Sequence, residues 1–481
     1  MRRGLPVMGV LLVGCARPAY RESQIPVPSS YGTATPVATT TRALHPGDSS
    51  ATPVYISSTL APTPFWSDLG DSTLTMLVRE AERANMDLRI AESRLAGARA
   101  SRRLSSVDRV PTITGTASSS RLQQSVAQIP GLTRQLPAQQ FWDVGFDASW
   151  ELDLFGRVGR NVRGQSALVE SSVHDLADVQ VTVAAEVART YFELRGAQRQ
   201  LAVSERNARN QREILQITES RLTAGRGTAF DTERAKSVLY LTLAITPLLE
   251  SQIALNRNRL AVLLGRTPDA LPAALLASGA LPRLPDTLYV GSPDQLVRRR
   301  PDVLRAERLL AARTLFVGSA RAEYLPRVAL AARAGYLATT ADSLFRQGNS
   351  RLLIGPVMTF PLFDIGRVRE RVGIAEAGQE EAQAEYNATV LRALEESEGS
   401  LVTYDRAHAR LAILTDAVRS SERAADLAKQ RFEAGLTDLL QVLDAERTLL
   451  DAQNQFAAGH TAAATAAVAV YKAVGGTWPI R

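Results

Sequence analysis

Residues 142–154 read Trp-Asp-Val-Gly-Phe-Asp-Ala-Ser-Trp-Glu-Leu-Asp-Leu, and apolar and polar side chains alternate through the whole stretch. Because successive side chains of a β-strand point to opposite faces, the stretch predicts a strand with one aromatic, apolar face and one acidic face. A half-buried strand of a soluble sandwich is one interpretation. The length reaches the ~9–11 residues of a tilted membrane-spanning strand, and Trp142 and Trp150 lie near the ends of the apolar face, as interfacial girdles do. These two features favour a membrane barrel.

Three further candidate strands lie on either side of this one and later in the chain. Residues 112–120 predict a weaker hairpin partner that contains Gly, Ala, Ser and Thr. A second apolar face runs through residues 352–362, with 327–337 as its partner, although Leu353 and Val357 interrupt the polar face. Pro356 lies in the middle of this strand and removes a ladder donor, which predicts an edge, a bulge or an interface there.

Long proline-free segments adjoin the first hairpin. A helix is predicted from Thr73 to about Ser106, closed by Pro111. From Arg157 to about Thr223 apolar residues recur at spacings of seven, as in a coiled-coil seam, and ~67 residues give a rod of roughly 100 Å. A Gly turn at 225–227 leads to another helix over about 231–264. The two shorter helices together match the long one, which predicts that they stack end to end, antiparallel to it.

The same module occurs twice. Shifted by 210 positions, residues 156–158 (Gly-Arg-Val) align with 366–368 and residues 221–225 with 431–435, while upstream of Pro111 the offset is 215. A repeat of this length indicates one structural module used twice. The expected segments are a signal peptide over 1–14, a tether over 15–65, the two copies over 66–265 and 301–475, an inter-repeat linker over 266–300 and a tail over 476–481.

The N-terminus predicts export and a lipid anchor. Arg2 and Arg3 precede an apolar run too short to span a bilayer as a mature helix, which indicates a signal peptide. The run ends in Leu-Val-Gly-Cys at residues 12–15, and Cys15 is the single cysteine of the chain, so a disulfide is excluded. These four residues resemble the bacterial lipobox, which implies covalent diacylglycerol and N-acyl lipid on Cys15; a chance cysteine is the alternative. Residues 15–65, rich in Pro, Ser, Thr and Ala, predict an extended or surface-hugging tether.

Composition argues against several function classes. The formal net charge is +7, but the arginines are spread along helix-forming segments and form no basic block, so nucleic acid is not an expected partner. The histidines, at 45, 174, 408 and 460, are scattered, and His408 falls on a coiled-coil seam. No nucleophile, metal or phosphate motif is present. We therefore expect neither an enzyme nor a bound cofactor.

The predicted strands require partners from other chains. An open four-stranded sheet in lipid leaves edge N–H and C=O groups unsatisfied at several kcal/mol each. Eight strands from a dimer enclose a lumen filled by side chains, whereas twelve strands from a trimer leave room for water. The acidic face of the first hairpin favours a wet lumen and therefore the trimer.

Several stretches together resemble one family. They are residues 221–225 (Arg-Leu-Thr-Ala-Gly), 431–435 (Arg-Phe-Glu-Ala-Gly), 441–445 (Gln-Val-Leu-Asp-Ala), 281–285 (Leu-Pro-Arg-Leu-Pro), 290–293 (Val-Gly-Ser-Pro) and 299–302 (Arg-Arg-Pro-Asp). They look like the TolC family of outer-membrane efflux channels, in the lipoprotein (OprM- or NodT-like) branch of resistance-nodulation-division efflux systems. The resemblance implies a mainly α fold with transmembrane β: a trimeric twelve-stranded β-barrel, four strands per chain, continuous with a long α-helical coiled-coil periplasmic tunnel.

The resemblance also implies a function and partners. It implies a passive exit duct for small molecules, lipid-anchored in the outer membrane and extending into the periplasm. The implied assembly is a homotrimer in outer-membrane lipid, joined by a periplasmic membrane-fusion adaptor to an inner-membrane efflux pump. The alternative is a lipid-anchored periplasmic coiled-coil scaffold without a channel, with its hairpins packed as a soluble sheet.

Specific residues follow from the resemblance at the two predicted tips. Adaptor contacts are implied at Arg221 with Gly225 and at Arg431 with Gly435, where Gly supplies a left-handed helix end and Arg supplies donors for carbonyls of a partner tip. The alternative is that each Arg caps its own helix.

A pore gate is implied just after the second tip. Its candidates are Leu436, Asp438 and Asp444, whose side chains would meet as rings of three in a trimer. Asp444 matches a family gate aspartate, while Gln441 stands where some members have a second aspartate. For Asp438, a solvated aspartate at a helix start is the alternative.

Overall fold

The computed structural model describes most of the chain beyond residue 68. The described residues are 69–128, 130–131, 133–272 and 287–476, with short stretches at 26–28, 31, 55–57, 66, 275–276, 279 and 284. They fall into two compact units. The first unit contains 94–173 and 305–387, and the second contains 25–93, 174–304 and 388–481.

Long helices and one larger sheet make up these units. In chain order the helices and strands are β1 (Tyr55–Ser57), α1 (Ser72–Ala84), α2 (Met86–Val107), β2 (Thr112–Leu122), β3 (Gln139–Leu152), α3 (Arg157–Thr223), α4 (Ala229–Leu263), β4 (Thr287–Tyr289), α5 (Pro293–Val297), α6 (Pro301–Arg321), β5 (Arg327–Ala338), β6 (Ser350–Thr359), α7 (Ile365–Glu433) and α8 (Leu439–Ala473). The long helices α3 and α7 have 67 and 69 residues, and α4 and α8 have 35 each. The predicted duplication is therefore confirmed in the order and the length of these elements.

The prediction of one unbroken helix over 73–106 is wrong, because the chain turns at Asn85. This residue has an extended backbone (φ −64°, ψ 134°) and ends α1. Its side-chain Oδ1 accepts hydrogen bonds from the backbone N–H of Asp87 at 2.8 Å and of Leu88 at 3.2 Å. Asparagine caps helices well because its side chain replaces a missing intrahelical acceptor, so a new helix starts at once.

The repeat extends to individual hydrogen bonds in the second unit. Asn85 Nδ2 donates to the carbonyl of Leu263 at the end of α4, at 2.9 Å. Arg300, 215 positions later, donates from Nη1 to the carbonyl of Ala473 at the end of α8, also at 2.9 Å. The two acceptors are 210 positions apart, which is the offset of the repeat itself. In each copy the C-terminus of the 35-residue helix, α4 or α8, is thus tied to the start of the helix that precedes the hairpin, α2 or α6.

The larger sheet lies in the first unit and has the strand order β2-β3-β5-β6, all antiparallel. Strands β3 and β5 join the two hairpins, with Gly145 opposite Gly335. Strand β6 has one neighbour in the described chain and contains Pro356, so the expected edge is confirmed. In the second unit, β1 pairs in parallel with β4.

The core of the second unit is a set of helix seams. Val187 and Leu194 of α3 are fully buried at a spacing of seven. In α7, Leu401 and Tyr404 are buried at a spacing of three, the other step of a helix seam. The buried face of α8 is rich in alanine, including Ala463, Ala464 and Ala467. Small side chains let helices pack closely.

Candidate functional site

The four-stranded sheet has one apolar and one polar face, because paired residues share a face and faces alternate along each strand. The apolar face carries Ile113, Trp142, Val144, Phe146, Trp150, Leu330, Leu352, Ile354 and Met358. Several of these side chains are exposed in the single chain, with Leu352 77% and Met358 69% accessible. A belt of large, uncovered apolar side chains on a sheet matches the lipid-facing surface of a membrane barrel.

The polar face is charged, and its acids are paired. Asp143, Asp147, Ser149 and Glu151 of β3 share this face with Arg333 of β5 and Arg351 of β6. Asp147 accepts a hydrogen bond from Arg333 Nε at 2.7 Å, Asp143 is bonded to Arg351, and Glu151 is bonded to Arg157 at 2.7 Å. The sequence predicted an acidic face from the first hairpin alone. The second hairpin supplies the arginines for Asp147 and Asp143, and the first residue of α3 supplies the one for Glu151. None of these pairs was predicted from the sequence.

Two facing glycines lie between these ion pairs. Gly145, Gly335 and Arg351 are opposite one another on β3, β5 and β6. A Cβ at Gly145 would lie 2.5 Å from the carbonyl oxygen of Ala334, and one at Gly335 would overlap the carbonyl oxygen of Val144. Because Gly335 has no side chain, Arg351 reaches across β5 to Asp143 on β3.

Both helical tips in the second unit end in the same glycine motif. Gly225 and Gly435 have φ angles of 71° and 74°, the left-handed conformation that favours glycine. In the first tip the N–H of Gly225 donates to Leu222 and the N–H of Arg226 to Arg221, at 3.0 and 2.8 Å. The second tip repeats both bonds through Gly435 and Leu436, at the same distances. The Arg-x-x-x-Gly spacing is therefore that of a Schellman helix end, whose carbonyl acceptor is the arginine's own backbone.

The arginine side chains of the two tips differ. The Arg221 guanidinium carbon lies 4.0 Å from the centre of the Phe432 ring, a cation–π contact between the first and second tips. Arg431, its repeat equivalent, is exposed. Phe432 is itself buried with Leu439, Val442 and Leu443. Sequence reasoning missed Phe432, although its place in the Arg-Phe-Glu-Ala-Gly motif was a signal.

The predicted gate residues lie at the start of α8. Asp438 is the N-cap of this helix, and its Oδ1 accepts from the N–H of Gln441 at 3.2 Å. Leu436 is 70% exposed, and Asp444 is also exposed on α8. One turn beyond the cluster, burial raises the pKa of the Glu446 carboxyl, Lys429 opposes this shift and Asp426 adds to it.

Cys15 and Arg300 belong neither to the sheet nor to the tips. Cys15 lies outside the described residues. Arg300, part of the 299–302 stretch, is buried, and its guanidinium bonds Asp302 and Glu396 at 2.7 Å each. Burial opposes its charge, but these carboxylates raise the pKa of Arg300. Arg300 links these helices because the ends of α6 and α8 lie next to each other in the fold, and the sequence motif alone does not show that contact.

A sheet with a bare apolar face and a charged opposite face, combined with long paired helices that end in glycine-capped tips, defines a channel-forming subunit. The profile of the family described as "Outer membrane efflux protein" matches residues 77–266 and 292–476. This chain belongs to that family.

Known relatives agree along most of the chain. It is 31% identical over 413 residues to the solvent efflux pump outer membrane protein SrpC of Pseudomonas putida, covering 85% of this chain and 86% of SrpC. It is 32% identical over 419 residues to the pyoverdine export outer membrane protein OpmQ of Pseudomonas aeruginosa, covering 86% and 87%. Its fold superposes on the outer-membrane channel OprN with a TM-score of 0.83 and 36% identity, covering 90% of this chain and 98% of OprN.

These comparisons confirm the class of protein predicted from the sequence. The chain has the fold of the trimeric TolC-like channels, mainly α with four transmembrane strands per chain. It is an outer-membrane efflux channel, a passive exit duct rather than an enzyme. The alternative function, a lipid-anchored periplasmic coiled-coil scaffold without a channel, is thereby ruled out.

Proposed function

We propose that three copies of this chain close a twelve-stranded barrel and that the duct is joined through a periplasmic adaptor to an inner-membrane pump. The observation that carries the proposal is the open sheet. Strands β2 and β6 each lack a second neighbour in the described chain, while the sheet's apolar face is bare. Unpaired strand edges in lipid cost several kcal/mol per group, so β2 of one copy must pair with β6 of the next.

A second feature supports closure by identical copies. Helix α4 carries an exposed stripe at a spacing of seven, formed by Leu241, Leu248, Leu255 and Val262 at 57–68% accessibility. By length and composition α4 is the one helix among the described residues that could cross a membrane, although only 17% of its most apolar window is buried. A heptad stripe is the pattern of a coiled-coil seam, so another copy of the chain is its natural cover.

The channel is tested by reconstitution. The full-length chain, added to planar bilayers, should give stepwise ion conductance, and in a strain that lacks its own outer-membrane efflux channel it should restore drug resistance when the cognate pump and adaptor are co-expressed. A protein that forms heat-resistant trimers but never conducts would contradict the duct.

We further propose that Cys15 carries the lipid anchor and that the substrates are small organic molecules chosen by the pump. SrpC and OpmQ are named for solvents and for pyoverdine, yet their identities to this chain, 31% and 32%, are nearly equal. Two relatives that are almost equally similar to this chain and are named for such different cargo support a duct that discriminates weakly between molecules.

The lipid anchor is tested by mass spectrometry of the mature N-terminal peptide, which should find an acylated cysteine. Cys15→Ala should make the protein easier to extract from membranes. An unmodified Cys15 thiol would refute the anchor.

The tips and gate complete the proposal. Arg431 and Gly435, exposed at the second tip, together with Arg221 and Gly225 are proposed adaptor contacts, and Leu436, Asp438 and Asp444 are proposed gate residues. Three copies of Asp444 would form a ring of like charge, which attracts cations and repels anions. Asp444→Asn should reduce cation selectivity in planar bilayers. Asp451→Asn, on the same face of α8 but two turns farther from the second tip and the proposed gate, should reduce it less. Equal effects of the two substitutions would remove Asp444 from the gate.

A further inference from the structure

The polar face of the sheet is electrically balanced across its strands. Its acids are Asp143, Asp147 and Glu151, all on β3, and its bases are Arg327, Arg333 and Arg351, all from the second hairpin. Three negative and three positive side chains give a formal sum of zero on this face. The first hairpin alone would present a purely acidic wall.

The pairing is built into the strand register. Asp147 and Arg333 are direct cross-strand partners on β3 and β5, and their side chains bond at 2.7 Å. Asp143 is bonded to Arg351, which sits two strands away and extends over the side-chain-free Gly335. Both pairs are neutralised locally, because the bonded charges are much closer together than the ~8–10 Å screening length of a salt solution. The charges are thus cancelled within each chain.

We propose that Arg333 and Arg351 determine the charge specificity of the barrel, by cancelling Asp147 and Asp143 so that the wall neither selects cations nor repels anions. The proposal rests on the proposed trimeric barrel, in which this polar face lines the lumen. A neutral wall suits an exit duct whose cargo is chosen elsewhere, because cationic, anionic and neutral molecules then pass with similar ease. Removing one arginine leaves one uncompensated carboxylate per chain.

Ser149 provides a probe of the local potential. It lies on the same face, two residues or about 7 Å along β3 from Asp147, and it is exposed. In Ser149→Cys protein reconstituted in vesicles, the introduced thiol is reacted from outside with a cationic and with an anionic methanethiosulfonate. The rate with the cationic reagent is divided by the rate with the anionic reagent, and this ratio is divided by the same ratio for a free thiol in the same buffer. The result reports the potential near the wall, and the measurement does not require the tunnel to open. The parent protein, whose one cysteine is Cys15, gives the background.

The expected ratio for Ser149→Cys alone is near one. Adding Arg333→Gln should raise it on the order of five-fold, since one unit charge at this distance in water attracts the cation and repels the anion by comparable energies. Adding Asp147→Asn instead should lower it, and the double change Asp147→Asn with Arg333→Gln should return it to near one. The double variant separates charge from damage to the sheet. Arg346→Gln, which removes an arginine 72% exposed in the β5–β6 connection, is the matched control and should leave the ratio unchanged.

Two outcomes overturn the inference and differ in what else they overturn. If the thiol reacts with both reagents at a ratio that Arg333→Gln and Arg351→Gln leave unaltered, the arginines do not set the charge of the wall, while the wet barrel stands. If the thiol in the assembled protein reacts with neither reagent, the polar face is dry and the proposed trimeric duct fails with it.

Discussion

At the scale of single residues, the buried charge of Arg300 connects three segments of the fold. Its side chain is only 8% exposed, and it bonds Asp302, Glu396 and the last carbonyl of α8. Its repeat equivalent, Asn85, makes the corresponding bond to α4 without any charge. The second copy therefore gains a link to α7, through Glu396, that the first copy does not make through this position.

We expect Arg300→Gln to destabilise the protein by about 3 kcal/mol, because removing the arginine leaves the half-buried carboxylate of Asp302, whose side chain is 19% exposed, without its counter-charge. This loss of folding free energy is at the lower end of the range for broken buried ion pairs, because Glu396 is 55% exposed and water replaces the arginine there. Thermal unfolding followed by circular dichroism in detergent measures it. Arg298→Gln, whose side chain is 77% exposed, is the control and should change stability by less than ~0.5 kcal/mol. Equal melting temperatures for the two variants would contradict this role.

Two half-buried histidines, His408 on α7 and His460 on α8, predict that acid destabilises these helices. Burial lowers the pKa of His408, an effect that Asp405 partly opposes, and burial also lowers the pKa of His460. The folded state therefore binds protons less readily than the unfolded chain, whose histidines titrate near pH ~6.5. The contribution of these two histidines to stability should be constant above about pH 7 and fall as the pH drops below ~6.5. His408→Gln with His460→Gln should flatten that part of the melting-temperature curve, and an unchanged acid slope would remove the histidines as its cause.

At the scale of elements, alternation and heptad spacing predicted the four strands and the long helices because both periods reflect which face of an element is covered. The helix break at Asn85 was not predicted, because a single break changes neither the composition nor the spacing of apolar residues around it. The tip glycines were predictable because the left-handed helix end is a local requirement. The partners of Asp143 and Asp147 were not, since Arg333 and Arg351 lie about 190–210 positions away and only the register joins them.

The two tips, equivalent in sequence, should respond differently to the same substitution. Arg221→Ala removes a cation–π contact worth ~0.5–1 kcal/mol and should speed amide hydrogen exchange over residues 439–443 by about two- to five-fold. Arg431→Ala, at the exposed equivalent, should leave this exchange unchanged. If both substitutions accelerate exchange equally, the contact with Phe432 does not hold the cluster together.

At the scale of the whole molecule, the two copies have diverged where they meet different surroundings. The exposed stripe of α4 is Leu241, Leu248, Leu255 and Val262, whereas the positions 210 residues later on α8 are Asp451, Ala458, Thr465 and Lys472. An apolar stripe requires a covering surface and a polar stripe does not. The same module thus offers a seam to a neighbouring copy through α4 and a water-compatible surface through α8, which agrees with the proposed lumen position of Asp444.

This divergence leads to a test of assembly. Leu248→Asp together with Leu255→Asp places two charges in the proposed seam, where burial of an unpaired carboxylate costs several kcal/mol. The heat-resistant trimer in detergent should then dissociate to monomers, as measured by sedimentation and by gel mobility without boiling, while the helical content by circular dichroism persists. Ala254→Asp adds the same charge to an exposed position of α4 about 110° away from the stripe, so its trimer should survive. A trimer that withstands both seam substitutions would mean that α4 is covered by something other than a second copy, and the closure of the barrel would then depend on the strand edges alone.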